Sequence, residues 1–260
     1  MTCTIITGGA SLIGLALARR LIDGGGSVVV GDLNDSVRGE VEEVVGDKGL
    51  CLIGDITDDS YLDALVSQAV DRFGRVSGLV HAAAIFDDAT YDTTRAEWHR
   101  AFDVNLISAA ILTQKLIPVM ESGGGGSIVY VASISGHRAQ PTRMVYSVTK
   151  AALHMLAKTG GTQLAGRGIR VNTLSPGWTW SRNIETRYGT RHHADAYAGE
   201  FHTMGRMADP DEIAAGIQWL LSDEASFVTG IDLPIDGGYT ALGPEALGQA
   251  FEKHRPIEGP

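Results

Sequence analysis

The sequence predicts an α/β fold, a doubly wound parallel sheet of about seven strands with helices on both faces. Three observations predict it. Short apolar, β-branched runs alternate with longer segments of helical periodicity, which is the rhythm of a parallel sheet. The first such run opens on a glycine turn that leads directly into a helix. No Pro/Gly/Ser-rich linker and no internal repeat interrupts the 260 residues. Residues 1–240 therefore read as one domain, with a tail over 241–260.

Composition narrows the function classes. With 44% hydrophobic and 20% charged residues, the chain can bury the core of a globular domain. A net charge of -10 with no basic face excludes a nucleic-acid partner. Cys3 and Cys51 lie in apolar runs without metal-ligand spacing and read as buried thiols. The first apolar run, Cys3 to Ile6, is too short for a signal peptide, and no run suits a membrane span. A cytoplasmic enzyme with no membrane partner is the expectation.

In the first half, Cys3–Ile6 is a buried strand, followed by the turn Thr7-Gly8-Gly9-Ala10-Ser11-Leu12-Ile13-Gly14 and a helix over Leu15–Ile22. Glycines let backbone approach a pyrophosphate, and a helix N-terminus offers unpaired N–H groups and a positive dipole end. Ser27–Gly31 is a second strand, and Asp32 lies 24 residues beyond Gly8. A carboxylate there accepts from ribose hydroxyls and repels a 2′-phosphate, which favours NAD over NADP. A helix over Asn34–Val45, a strand over Leu50–Ile53, a helix over Asp58–Phe73 and a strand over Val76–Val80 continue the alternation.

In the second half, Thr94-Arg95-Ala96-Glu97 is a capping box, opening one long helix through Asn105 to about Met120. Asn105 stands among Val104, Leu106 and Ile107, an unusual place for an amide. A glycine turn precedes the strand Ser127–Ala132, and Ser133 follows it. The next helix runs to about Leu164 and carries Tyr146 and Lys150, four apart and so on one face. A tyrosine hydroxyl titrates near about 10, and a neighbouring ammonium favours its phenolate. On its own such a pair arises by chance in many helices. Ile169–Leu174 is the sixth strand. An aromatic and basic stretch over about 178–205 reads as a substrate lid. Its adjacent His192 and His193 lack a framing carboxylate cluster, so no metal site is expected. Asp209, Pro210 and Glu212 start a helix as cap, first residue and third residue, ending near Leu221. Ile231–Ile235 is the last strand, and Glu245–His254 could form a short helix.

Taken in order, these motifs resemble the short-chain dehydrogenase/reductase family over nearly the whole chain. Thr7 to Gly14 resembles its TGxxxGxG turn, and Asp55-Ile56 its adenine-contacting pair. His81-Ala82-Ala83-Ala84 stands where the family has NNAG, and Asn105 matches its active-site asparagine. Ser133, Tyr146 and Lys150 match its catalytic residues, with a Ser-to-Tyr gap of 13, and Pro176-Gly177 and Asp236-Gly237-Gly238 are further marks.

The resemblance implies a Rossmann-like NAD-binding domain. Its cofactor residues here would be Gly8, Ser11, Leu12, Ile13 and Gly14 in the turn, then Asp32, Leu33, Asp55 and Ile56 around the adenosine. Ala82, Ala83 and Ala84, with Tyr146, Lys150, Pro176, Gly177, Thr179 and Ser181, would serve the nicotinamide half. Tyr146 would take the hydroxyl proton, Lys150 would lower its pKa, Ser133 would orient the substrate oxygen, and Asn105 would hold a water in a proton relay. Substrate contacts would come from Ser135, Gln140, Trp178, Trp180 and Arg187. The substrate would be a secondary alcohol, polar and cyclic or aromatic in type, such as a sugar, polyol or dihydrodiol. A homo-oligomer, dimer or tetramer, is implied. The alternatives are an NAD(P)H-dependent ketone reductase and a non-catalytic dinucleotide-binding protein. Two departures stand out. Leu12 replaces the middle glycine, which fits if its φ is negative and its side chain turns toward the sheet. Ala82 and Ala84 replace an amide and a glycine.

Overall fold

The computed structural model describes residues 2–86 and 90–243. The alternation appears as β1 (Cys3–Thr7), α1 (Leu12–Asp23), β2 (Ser27–Asp32), α2 (Arg38–Val45), β3 (Gly49–Ile53), α3 (Asp59–Phe73) and β4 (Val76–His81). It continues with α4 (Arg95–Phe102), α5 (Ser108–Ser122), β5 (Gly126–Val131), α6 (Met144–Leu164) and β6 (Ile169–Pro176). The chain ends in α7 (Arg182–Tyr188), α8 (Arg191–Ala198), α9 (Pro210–Leu221) and β7 (Asp232–Ile235).

All seven strands pair in parallel, in the order β3-β2-β1-β4-β5-β6-β7. The strand order reverses between β1 and β4, and ligands bind outside the carboxyl ends of strands at such a switch point. Strand residues alternate between two apolar layers. Ile5, Leu79 and Ile128 meet Leu65 of α3, Leu112 and Leu116 of α5 and Leu153 of α6 on one face. Ile6, Val30 and Val129 meet Leu17 of α1, Val41 of α2 and Ile217 of α9 on the other. Both faces are covered, so the strands read as continuous apolar runs.

The capping signals act as expected at two helix starts. Thr94 and Glu97 close a reciprocal capping box, and at Asp209 the Glu212 carboxylate accepts from the Asp209 N–H at 2.8 Å, with Pro210 between them. The segment read as one helix from Thr94 to Met120 departs from regular α geometry. Asp103–Ile107 is a π-helical turn between α4 and α5, with the Ser108 N–H bonded five residues back to Asp103. Together they form a 28-residue rod, Arg95–Ser122, whose most apolar stretch has a mean hydropathy of 1.2. No run had been expected to reach that length and apolarity. Leu112, Leu116 and Met120 use it to cover the sheet, where they are fully buried. The α1 helix starts at Leu12 rather than Leu15, because Ser11 caps it by accepting from the Gly14 N–H at 3.2 Å. The helix expected over Glu245–His254 lies outside the described residues.

Candidate active site

A cleft of about 780 Å³ crosses the carboxyl ends of the strands, from Asp32 and Leu33 at one end to Ser133, Tyr146 and Lys150 at the other. Its floor depends on close backbone approach. Gly8 has φ 64°, and a Cβ there would lie 2.6 Å from the backbone of Ala83. A Cβ on Gly14 would lie 2.4 Å from the Gly9 carbonyl oxygen, so this glycine packs helix against turn and does not line the cleft. Ala82, Ala83 and Ala84 do line it, beside Gly8.

Leu12 is the first helical residue of α1 and has a negative φ, since Thr142 is the non-glycine residue with positive φ among those described. Its side chain is half-buried and lines the cleft; it does not turn into the sheet core. Ser11 and Ile13 flank it. Asp32 ties β2 to the turn: Oδ2 accepts from the Ala10 N–H at 3.0 Å and Oδ1 from the Asn34 N–H at 3.1 Å. Each oxygen keeps a lone pair for a further donor. Leu33 is 67% exposed beside it. Asp55 and Ile56 line the same end; Asp55 Oδ1 accepts from the N–H and hydroxyl of Thr57, and Ile56 is nearly buried against the core. A glycine cradle, the start of α1 and a strand-end carboxylate in one elongated cleft fit a dinucleotide.

At the other end, Ser133 closes β5. Its Oγ accepts from the Ser135 N–H at 3.1 Å, capping a short 3-10 turn over Ile134–Gly136. Thr142 takes φ 64°, strained for a β-branched residue, and turns the chain into α6 just before Tyr146. The Lys150 Nζ is fully buried and donates to the Val131 carbonyl at 2.6 Å, 5.5 Å from the centre of the Tyr146 ring. Burial pushes the Lys150 ammonium down to about 7. Burial also raises the Tyr146 phenol above its ordinary value, while Ser133 and the charge of Arg143 pull it back. The expectation that Lys150 lowers the Tyr146 pKa is therefore not met in this arrangement. Lys150 is itself hard to charge and points at a carbonyl, and the cation that favours the phenolate is Arg143.

Asn105 is fully buried and does not line the cleft. Its Oδ1 accepts from the Ile85 N–H at 2.8 Å; its Nδ2 donates to the Ile85 carbonyl at 2.9 Å and the Thr149 hydroxyl at 3.0 Å. Thr149 in turn donates to the Tyr146 carbonyl. Both amide hydrogens are used, and Oδ1 keeps one lone pair that can accept from a relay water. The amide pins the loop after β4 to the catalytic helix. The π turn moves the Ser108 N–H to Asp103 and so takes it from the Val104 carbonyl, which faces His81. His81 is fully buried, bonds the Thr7 hydroxyl through Nδ1 at 3.0 Å, and leaves Nε2 without a hydrogen-bond partner. Burial first, and then Lys150, push its pKa down to about 3, so it is neutral.

Ser135, Gln140 and Trp178 line the substrate end of the cleft. The Ser135 hydroxyl donates to Gln140 at 2.6 Å, and the Gln140 amide donates to the Tyr239 hydroxyl at 3.4 Å. Pro176, Gly177, Thr179 and Ser181 line the cleft as well; the Ser181 hydroxyl caps α7. Trp180 and Arg187 are not brought there. Trp180 packs in the lid's own apolar cluster under Arg191, and the exposed Arg187 lies over Tyr188. Phe86, Arg143 and Ile184 line the cleft and went unnoticed in the sequence. Helical spacing could have found Arg143, which is one turn before Tyr146.

The fold is a doubly wound parallel α/β sheet, and one cleft at the carboxyl ends of its strands is lined by Ser133, Tyr146 and Lys150. A family model described as enoyl-(acyl carrier protein) reductase matches residues 8–240. A 2,5-dichloro-2,5-cyclohexadiene-1,4-diol dehydrogenase of Sphingobium indicum is 34% identical over 242 residues, 91% of this chain and 95% of the relative. A cis-4-hydroxycyclohexanecarboxylate dehydrogenase of Sinomonas cyclohexanicum is also 34% identical, over 92% of this chain and 96% of the relative. A solved structure of levodione reductase superposes with a TM-score of 0.85 at 27% identity, covering 93% of this chain and 98% of that one. The chain belongs to the short-chain dehydrogenase/reductase family and is an oxidoreductase.

Proposed function

We propose that the protein is an NAD-dependent dehydrogenase that oxidises a cyclic secondary alcohol to the ketone. The observation that carries this reading is the convergence of Ser133, Tyr146 and Lys150 on one end of a cleft whose other end is lined by Asp32. The two dehydrogenase relatives act, by their names, on alcohols carried by six-membered rings. Phe86, Trp178 and Ile184 offer such a ring apolar walls, and Ser135 and Gln140 offer it polar contacts.

Leu12 and Ile13, at the start of α1, would present backbone N–H groups to the pyrophosphate, and Asp32 would accept from the adenosine ribose. That carboxylate disfavours a 2′-phosphate and supports NAD over NADP. Thr179 would meet the carboxamide and Lys150 the nicotinamide ribose. When bound, the nicotinamide supplies the hydride acceptor. Ser133 orients the alcohol oxygen by donating its hydroxyl, which now faces Ser135. Tyr146, as phenolate, takes the hydroxyl proton. Asn105 acts by position, holding the loop after β4 against the helix that carries Tyr146. Ile107, Val148 and Met155 leave an exposed apolar strip along α6 and the turn before α5, which supports a homo-oligomer. We place the protein in the cytoplasm.

A screen for NADH formation over cyclic alcohols tests the reading. Turnover is expected with NAD in preference to NADP, and Tyr146→Phe should lower kcat by roughly 10²–10⁴-fold. Near-full turnover in the Phe variant, or a preference for NADP, would overturn it.

A further inference from the structure

The inner face of α6 carries Tyr146, Lys150 and His154 at successive turns. The first two line the cleft, and His154 does not. It faces a separate group of polar side chains from three other segments. Its Nε2 lies 3.0 Å from the Ser175 Oγ and 3.5 Å from the Asp232 Oδ1. The other oxygen of Asp232 lies 2.7 Å from the His137 Nε2. The ligand atoms of His137, His154 and Asp232 all fall within 4.8 Å of one another. These residues are 17 and 78 positions apart in the chain, and their spacing carries no metal signature.

We propose that His137, His154 and Asp232 form a binding site for one divalent transition-metal ion of the zinc class, separate from the catalytic cleft. Two imidazole nitrogens and one carboxylate oxygen are the donor set that zinc, cobalt and nickel favour over magnesium or calcium. Three protein ligands leave a fourth position for water. The site has a closed floor and one solvent-facing ligand: His154 and Asp232 are nearly buried, and His137 is exposed. A Cβ on Gly136 would lie 2.7 Å from the His154 Cε1, so glycine at that position lets the two rings approach.

Metal binding would replace the contacts that the His137 Nε2 makes with Asp232 and the His154 Nε2 makes with Ser175. Each histidine then binds as the neutral ring with its proton on Nδ1. Bonds of about 2.0–2.1 Å in a tetrahedral site put ligand atoms roughly 3.3 Å apart. The 2.7 Å separation between His137 and Asp232 must therefore widen, and the two rings, stacked 4.2 Å apart, must turn out of parallel. The exposed His137 supplies that movement. Ser175 already donates to the Asp232 Oδ1 at 2.8 Å and would orient the ligating carboxylate from outside. The bound ion would join the turn after Ser133 to α6 and β7.

The test uses tag-free, full-length protein stripped with a chelator, titrated with Co²⁺ as a visible probe and with Zn²⁺ by calorimetry. One ion per chain is expected, with d–d absorption in the Co²⁺ form and a rise in Tm on adding Zn²⁺. His137→Gln and Asp232→Asn should each weaken binding by more than about tenfold and abolish the Tm rise. A His192→Gln/His193→Gln variant should bind as the parent does. Melting without metal reports folding, so if one variant fails to fold the other decides. Absence of saturable binding at one ion per chain overturns the proposal. So does binding that His137→Gln or Asp232→Asn leaves unchanged.

Discussion

Tyr146 sits where burial and charge pull its pKa in opposite directions, and burial prevails. Phe86 packs edge-on against its ring at 6.1 Å, and Lys150, one turn along, gives one of its three donors to a backbone carbonyl. The remaining cationic help comes from Arg143. A positive charge favours the phenolate, so removing it raises the Tyr146 pKa further. Alcohol oxidation by a phenolate base gains rate as pH rises through that pKa. The rising limb of the kcat/KM profile of Arg143→Gln is therefore expected at higher pH than in the parent, with Arg143→Lys between them. Coincident profiles would remove Arg143 from this role. The spacing of Tyr146 and Lys150 was legible in the sequence because it is local and helical. The environment was not, since it depends on Phe86, 60 residues before Tyr146.

The same division between local and distant partners runs through the elements. The capping signals at Thr94 and Asp209 span three residues each and could be read directly. The C-terminus of α9 is satisfied from far away, and nothing near Leu221 announces it. Arg170 of β6 donates to the carbonyls of Leu220 at 2.7 Å, Ser222 at 3.0 Å and Leu221 at 3.3 Å. It thereby closes carbonyls that the helix leaves open. Arg170→Met keeps most of the stem and removes the donors. The Leu220 carbonyl keeps the Ser127 hydroxyl as a donor at 2.9 Å, so the cost should be about 1–2 kcal/mol of stability. Chemical denaturation would measure this, and a loss below about 0.5 kcal/mol would place those carbonyls in water's reach. The π turn was hidden for a related reason. Asn105 marked the position as unusual, but the residues it bonds there, Ile85 and Thr149, are 20 and 44 positions away in the chain.

At the scale of the molecule, the doubly wound sheet was legible because its inner strands are buried on both faces and read as apolar runs, while the edge strands β3 and β7 are only partly buried. The stretch over 178–205 was legible as aromatic and basic but not in its contacts. Its helices, α7 and α8, are 7 and 8 residues long and need their own aromatic residues to pack. Trp180, Tyr188 and Phe201 are spent on that cluster and not on a substrate. What fastens the lid to the cofactor half is Arg182, which donates to the Ala10 carbonyl at 2.7 Å and pairs with Glu40 of α2 at 2.6 Å. Docked this way, the lid rests on the turn that would hold the pyrophosphate, so lid closure and cofactor affinity should be coupled. Both partners of the ion pair are more than a third exposed, which limits its worth to about 1 kcal/mol. Arg182→Met is accordingly expected to weaken NAD binding by roughly fivefold in a calorimetric titration. Glu40→Gln keeps the bond to Ala10 and should weaken it less. Equal effects of the two variants would assign the coupling to the ion pair, and unchanged affinity in Arg182→Met would mean that the lid closes independently of the cofactor turn.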